Sequence, residues 1–89
     1  MLDPYKRLEE ILKEDDSWPK AYMFKFIVPN QDDKVNIVKA MMPEPNKVVM
    51  RSSKDLKYVS VSLKTTVKNA DEILDLYKKV DQVEGVIKL

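Results

Sequence analysis

Hydrophobic and polar positions alternate most strictly from Tyr58 to Lys64: Val59, Val61 and Leu63 fall on one side, Tyr58, Ser60, Ser62 and Lys64 on the other. A strand points successive side chains to opposite faces, so this segment is predicted to lie with one face buried. Val48 to Ser52 reads as the first arm of a hairpin leading into it, and the connection, Ser52 to Lys57, is mostly polar as a turn requires. Pro45, close to the start of that arm, suits an edge strand. A third alternating segment, AYMFKFIV, sets Tyr22, Phe24, Phe26 and Val28 against Met23, Lys25 and Ile27. Its aromatic side is the one expected in the core.

Other stretches carry the helical period. Asp3 and Pro4 form a capping residue and a first-turn proline, followed by a stripe of Tyr5, Leu8, Ile11 and Leu12. So short a helix has to dock on something. Trp18-Pro19 then joins helix to strand, a place where a large ring plugs the end of a core. Asn30 is the expected cap of a second helix, with Gln31, Asp32 and Asp33 in its first turn and Val35, Val38, Met41 and Met42 as its buried stripe. Pro43 and Pro45 end it. Asn69 with Glu72 three residues on is a capping box for a third helix, whose stripe is Ala70, Ile73, Leu74, Tyr77 and Val80. Gly85 marks a turn into a short closing strand, VIKL.

The order is a leading helix followed by β-α-β-β-α-β. This predicts an α+β, ferredoxin-like βαββαβ sandwich with an extra N-terminal helix and antiparallel sheet order 4-1-3-2. Residues 1–17 form the helix and linker, and 18–89 the ferredoxin-like domain. Both later helices cover one sheet face. The other face offers Met23, Lys25, Ile27, Tyr58, Ser60, Ser62 and Lys64, with Val49 or Val86 extending its apolar part. The leading helix, a second subunit, or neither covers that face, the helix then packing at a sheet edge; monomer and weak homodimer are both open.

Composition narrows the chemistry. The chain has 89 residues, enough for one domain, and contains neither cysteine nor histidine. That removes thiolate chemistry, the commonest metal ligand and the commonest general base near neutral pH. No metal or other cofactor is expected. No apolar run reaches the ~18–20 residues that span a bilayer, and the first twenty residues lack a signal-like stretch, so the expected location is cytoplasmic, away from membranes. The net charge of +1 conceals a basic segment: between Asn46 and Lys68, Lys47, Arg51, Lys54, Lys57, Lys64 and Lys68 face Asp55 alone. Such a patch concentrates anionic partners, although lysines also keep edge strands and turns soluble.

Ser52, Ser53, Ser60 and Ser62 have no base to activate them, and no Ser-Lys dyad is evident, so the chain is not expected to be an enzyme. The topology is shared with acylphosphatases, but Pro29–Asp33 is acidic where a phosphate loop would carry arginine. Glu14-Asp15-Asp16 lacks the spacing of a calcium or magnesium loop and reads as solvated linker. RNA-recognition domains share the element order, yet Tyr58 is the single aromatic on the open face and the basic-glycine-aromatic signature is absent.

With the whole pattern in view, the sequence resembles the YbeD-like family of small bacterial domains of unknown function, some labelled lipoate-associated regulatory proteins. The resemblance rests on Leu8, Ile11 and Leu12, on Trp18-Pro19, on Ser52-Ser53-Lys54 followed by Tyr58, Ser60, Val61 and Ser62, and on Leu76-Tyr77 and Val86-Ile87-Lys88-Leu89. Where relatives have glycine after Ser-Ser-Lys and a shorter link, this chain has Asp55, Leu56 and Lys57. The family is similar in architecture to ACT-type regulatory domains. The function expected is therefore a non-catalytic regulatory or adaptor domain that binds a protein partner or a small anionic ligand through Arg51, Ser52, Ser53, Lys54 and Tyr58. The alternative is nucleic-acid binding by the open sheet face.

Overall fold

The two strictly alternating segments pair with each other along their whole length. In the computed structural model, which describes residues 5–89, β1 (Lys20–Pro29) and β3 (Tyr58–Val67) run antiparallel in one unbroken register from Lys20 opposite Val67 to Pro29 opposite Tyr58. This register sets Phe24 against Leu63, Phe26 against Val61 and Val28 against Val59, all six buried on one face. The short strands β2 (Val49–Ser52) and β4 (Ile87–Lys88) flank this pair, giving a four-stranded antiparallel sheet of order β2-β3-β1-β4. That is the expected 4-1-3-2 order read from the opposite edge, with the hairpin's second arm central and its first arm at an edge.

Among the described residues, three α-helices complete an α+β architecture: α1 (Lys6–Glu14), α2 (Lys34–Met41) and α3 (Ala70–Val80). A single 3₁₀ turn, Pro45–Lys47, follows the prolines that stop α2. Helix α3 starts as its capping box prescribes. Glu72 N–H donates to Asn69 Oδ1 at 3.1 Å, and the Glu72 carboxylate accepts from the backbone of Lys68, one residue before the cap, at 2.9 Å. Its residues Ala70, Ile73, Leu74, Leu76, Tyr77 and Val80 are buried with Val38 and Met42 from the α2 region against the β1–β3 face.

Two helix starts differ from expectation. Asp3 and Pro4 lie outside the described residues; Tyr5 occupies the position before α1 and makes no side-chain cap. Asn30 does not cap α2. Its backbone and side-chain N–H groups instead donate to the Lys57 and Leu56 carbonyls, both at 2.9 Å, which ties the end of β1 to the hairpin tip. The chain then turns through Asp32 and Asp33, both at positive φ, and α2 begins only at Lys34.

The leading helix lies on the helical side of the sheet, against α3. Tyr5 stacks on Tyr77 with ring centroids 6.3 Å apart, and Tyr77 in turn meets Phe24 and Phe26 edge-on at 6.2 and 5.8 Å. The Tyr5 hydroxyl donates to the Asp81 carboxylate, which also receives Lys88 from β4. Burial alone would raise the Asp81 carboxyl pKa, but the Lys88 ammonium and the Tyr5 hydroxyl outweigh it and hold it below its ordinary value. Leu12 is buried and Leu8 half-buried, whereas Ile11 is 54 % exposed. Ile11 therefore leaves the expected stripe: a seam against one helix is narrower than the side chains spaced to fill it. Trp18 packs at the end of the core as expected, with Lys20 Nζ 4.6 Å from its ring centroid.

Two outcomes follow. Leu12→Asp places an unpaired carboxylate in the core and lowers the denaturant midpoint, by a loss of about 2–4 kcal/mol, while Ile11→Asp shifts stability by less than about 0.5 kcal/mol; urea unfolding of the two variants separates them. The pH dependence has a definite sign. The lowered Asp81 pKa means the folded state releases that proton more readily than the unfolded chain. Its stabilisation is thus full above the ordinary carboxylate pKa of about 3.8 and disappears as pH falls through the lower folded value. Asp81→Asn therefore lowers the melting temperature at neutral pH, and the difference from the parent chain closes under acid conditions.

Candidate functional site

The hairpin tip is built by three residues whose polar atoms face inward on the turn. Ser53 N–H donates to the Tyr58 carbonyl at 2.9 Å, Ser53 Oγ accepts from Tyr58 N–H at 3.2 Å, and Leu56 N–H donates to the Ser53 carbonyl at 3.0 Å. Asp55 accepts from both the Ser53 hydroxyl, at 2.7 Å, and the Lys57 amide, at 3.1 Å. The Ser53 hydroxyl first, and the Lys57 amide second, hold the Asp55 carboxyl below its ordinary pKa. Leu56 adopts φ +60°, a left-handed conformation that leucine rarely takes, with its side chain 63 % exposed. The three residues Asp55, Leu56 and Lys57 thus form a closed loop where a glycine would have turned the chain more tightly.

The five residues singled out in the sequence divide into separate roles. Arg51 and Tyr58 project from the open sheet face, Arg51 opposite Ser60 and Tyr58 opposite Pro29. Ser52 pairs with Val59 and so points to the helical side at the sheet edge. Lys54 stands exposed at the tip. Ser53 is engaged in the turn itself. Neither Arg51 nor Lys54 forms an ion pair among the described residues, since the one nearby carboxylate, Asp55, serves the loop. Beside the tip lies a cleft of about 560 Å³ lined by Pro29, Asn30, Gln31, Leu56, Lys57, Tyr58 and Gly85. Gly85 has φ +86°, and a Cβ there would stand 2.9 Å from Pro29 Cγ, so glycine is what lets the two chain segments close this end of the sheet.

The open sheet face extends the site. In register across the strands lie Val49, Ser62 and Lys25, then Arg51, Ser60, Ile27 and Ile87, with Met23 opposite Lys64. Leu89 continues beside Lys25, its N–H donating to the Lys25 carbonyl at 3.0 Å. Ile87 therefore takes the place on this face that Val86 was expected to fill; Val86 packs against the core instead. Sequence alternation identified Met23, Lys25, Ile27 and Lys64 as open-face residues. It did not reveal that Arg51, Ile87 and Leu89 join them, because that depends on the pairing of the two short edge strands.

The acidic run after α1 is engaged locally. Asp15 binds the Lys20 ammonium and accepts from Ser17, and these two partners keep its carboxyl well below the usual carboxylate range. Among the described residues, no cluster of three or more carboxylate, imidazole or thiol groups is arranged to hold a metal ion. None of the described helices is long and apolar enough to cross a membrane. On the helical side, Tyr77 is held strongly in its neutral form by burial, reinforced by a 2.7 Å hydrogen bond with Tyr22, and belongs to the core.

Among known proteins, a family described as "Protein of unknown function (DUF493)" matches residues 14–89. No curated protein and no solved structure matches the chain.

Asp55→Ala is expected to open the loop without unfolding the sheet. Amide exchange should quicken at Leu56, Lys57 and Tyr58, while Phe24, Phe26 and Val61 keep their protection.

Proposed function

Since the chain belongs to the DUF493 family, whose description assigns no activity, we propose from the geometry that it is a small non-catalytic regulatory or adaptor domain with a ferredoxin-like fold, recognising a negatively charged partner at its basic hairpin. The carrying observation is the imbalance at the tip. Arg51 and Lys54 have no carboxylate within ion-pair distance among the described residues, and the only acid of the loop is spent on the turn. Tyr58, 43 % exposed, stands on the same hairpin beside the cleft. Unneutralised cations next to an amphipathic ring suit a carboxylate or phosphate group, carried by a protein or by a small metabolite.

The resemblance to YbeD-like and ACT-type regulatory domains supports the regulatory part of this reading. The lack of histidine and cysteine supports the non-catalytic part, since the open-face serines have no neighbouring base. In this reading the domain works in the cytoplasm, without cofactor.

The test is affinity capture from native extract with the parent chain and with the double variant Arg51→Glu, Lys54→Glu. Both side chains are exposed, so the variant should fold, which far-ultraviolet circular dichroism checks. Retrieval of the partner should fall by about tenfold or more, the effect of roughly 1.4 kcal/mol of lost charge pairing. Equal retrieval by a folded double variant would sink the proposal.

A further inference from the structure

The uncovered sheet face is not uniformly polar. On the β1–β4 half, Met23, Ile27, Ile87 and Leu89 form an aliphatic strip, with Met23, Ile87 and Leu89 each more than half exposed. On the β3–β2 half lie Ser60, Ser62, Lys64 and Arg51, with Val49 and Tyr58 the exposed apolar side chains there, and Lys25 stands on β1 between Met23 and Ile27, flanked by Ser62 and Leu89. No acidic side chain projects from any strand position of this face. None of Lys25, Lys64 and Arg51 has an ion pair among the described residues. The helices α1, α2 and α3 all lie on the opposite side, so no described helix covers it.

Charge and shape together specify an occupant. A second copy of the chain docking face to face offers no acidic strand residue on this face, so Lys25, Lys64 and Arg51 would meet either cations or aliphatic side chains, which opposes a two-fold dimer here. Nucleic acid would need more than one stacking ring, whereas the exposed apolar groups are aliphatic apart from Tyr58. A second sheet would need the whole face apolar. The strip is instead about two strands wide, and from Met23 to Ile27 about 13 Å long, the footprint of two to three helical turns. We propose that this face is the docking site for an acidic amphipathic helix of a partner protein, its apolar stripe on Met23, Ile27, Ile87 and Leu89 and its carboxylates on Lys25, Lys64 and Arg51. This rests on the adaptor reading and names the partner's chemistry.

The probe is a synthetic peptide of about 14 residues, four helical turns, with leucines at i, i+3, i+4 and i+7 and glutamates flanking them. It is titrated into the isotopically labelled 89-residue chain and followed by NMR. Shifts should concentrate on Met23, Lys25, Ile27, Ser62, Lys64 and Ile87. A peptide of identical composition but scrambled period should bind about tenfold more weakly. Lys25→Glu with Lys64→Glu should cost about tenfold, and so should Leu89→Asp, a fully solvent-side change that leaves the core untouched.

Equal binding by the scrambled peptide would reduce the effect to charge alone and overturn the proposal. So would displacement of the peptide by single-stranded polyuridylate with a steep salt dependence, or concentration-dependent dimerisation that buries these residues while the peptide fails to bind. The two readings fail separately. If the peptide ignores the face while the Arg51→Glu, Lys54→Glu variant still loses its captured partner, the adaptor role stands and the helix site falls. If Lys25→Glu with Lys64→Glu abolishes peptide binding while Lys54→Glu alone, at the tip and off this face, captures normally, the helix site stands and the hairpin tip is only a connection.

Discussion

The structure depends on one constraint, the unbroken pairing of β1 with β3. Both strands alternate with the same period, and the register aligns their apolar positions so that Phe24, Phe26 and Val28 meet Leu63, Val61 and Val59. A slip of one residue would turn every one of these side chains to the wrong face and bring Lys25, Ser60 and Ser62 into the core. Four aromatic residues, Tyr5, Phe24, Phe26 and Tyr77, then connect through the interior. Phe24 and Phe26 stand perpendicular to the Tyr77 ring, which carries the contact on to Tyr5 and so to the leading helix. Tyr77 thus links the central pair to the docking of α1, which Leu12 and the Tyr5–Asp81 hydrogen bond complete.

The same alternation that builds the core leaves the opposite face uncovered by any of the described helices. Three helices on one side are one more than the sheet needs, yet the third adds to the helical layer and none crosses to the open side. The energetic reason lies in the chemistry of the two surfaces. Tyr5 finds on α3 a ring to stack on and a carboxylate to receive its hydroxyl, whereas the open face offers lysines and an arginine that would have to be desolvated beneath a helix containing Lys6 and Arg7. An acidic partner offsets that penalty by pairing its carboxylates with these cations.

At the hairpin, structural and recognition roles are divided between adjacent residues. Ser53 and Asp55 close the turn with five hydrogen bonds that involve their own side chains or backbone, and Asn30 braces it from just beyond β1. This leaves the side chains of Arg51, Lys54 and Tyr58 outside the hydrogen bonds that close the turn. A rigid tip carrying unpaired cations keeps its recognition groups ordered before a partner arrives, which lowers the entropy cost of binding. Leu56, exposed in a left-handed conformation, is the one residue of the tip whose type is at odds with its backbone.

The amino-acid pattern by itself determined the element order, the central strands, the buried face of each and the capping box of α3. Each of these is a local property, set by a side-chain period of two or 3.6 and by residues three positions apart. It also placed Met23, Lys25, Ile27 and Lys64 on the face away from the helices. Tertiary structure alone decided what depends on residues distant in the chain. Asn30 looked like a helix cap, but the Leu56 and Lys57 carbonyls, brought close by the β1–β3 register, hold its backbone and side-chain amides at the hairpin tip, and α2 starts at Lys34 after Asp32 and Asp33 at positive φ. The leading helix had a stripe and two expected destinations, the open face or a sheet edge; it lies instead on the helical side, where Tyr77, Asp81 and Lys88, drawn from α3, its end and β4, receive Tyr5. Ser52 and Ser53 sit side by side with Arg51, yet strand pairing turned Ser52 to the other face and the loop took Ser53 for itself. Local periodicity says which side of a strand a residue occupies, but only long-range pairing says what lies beside it there.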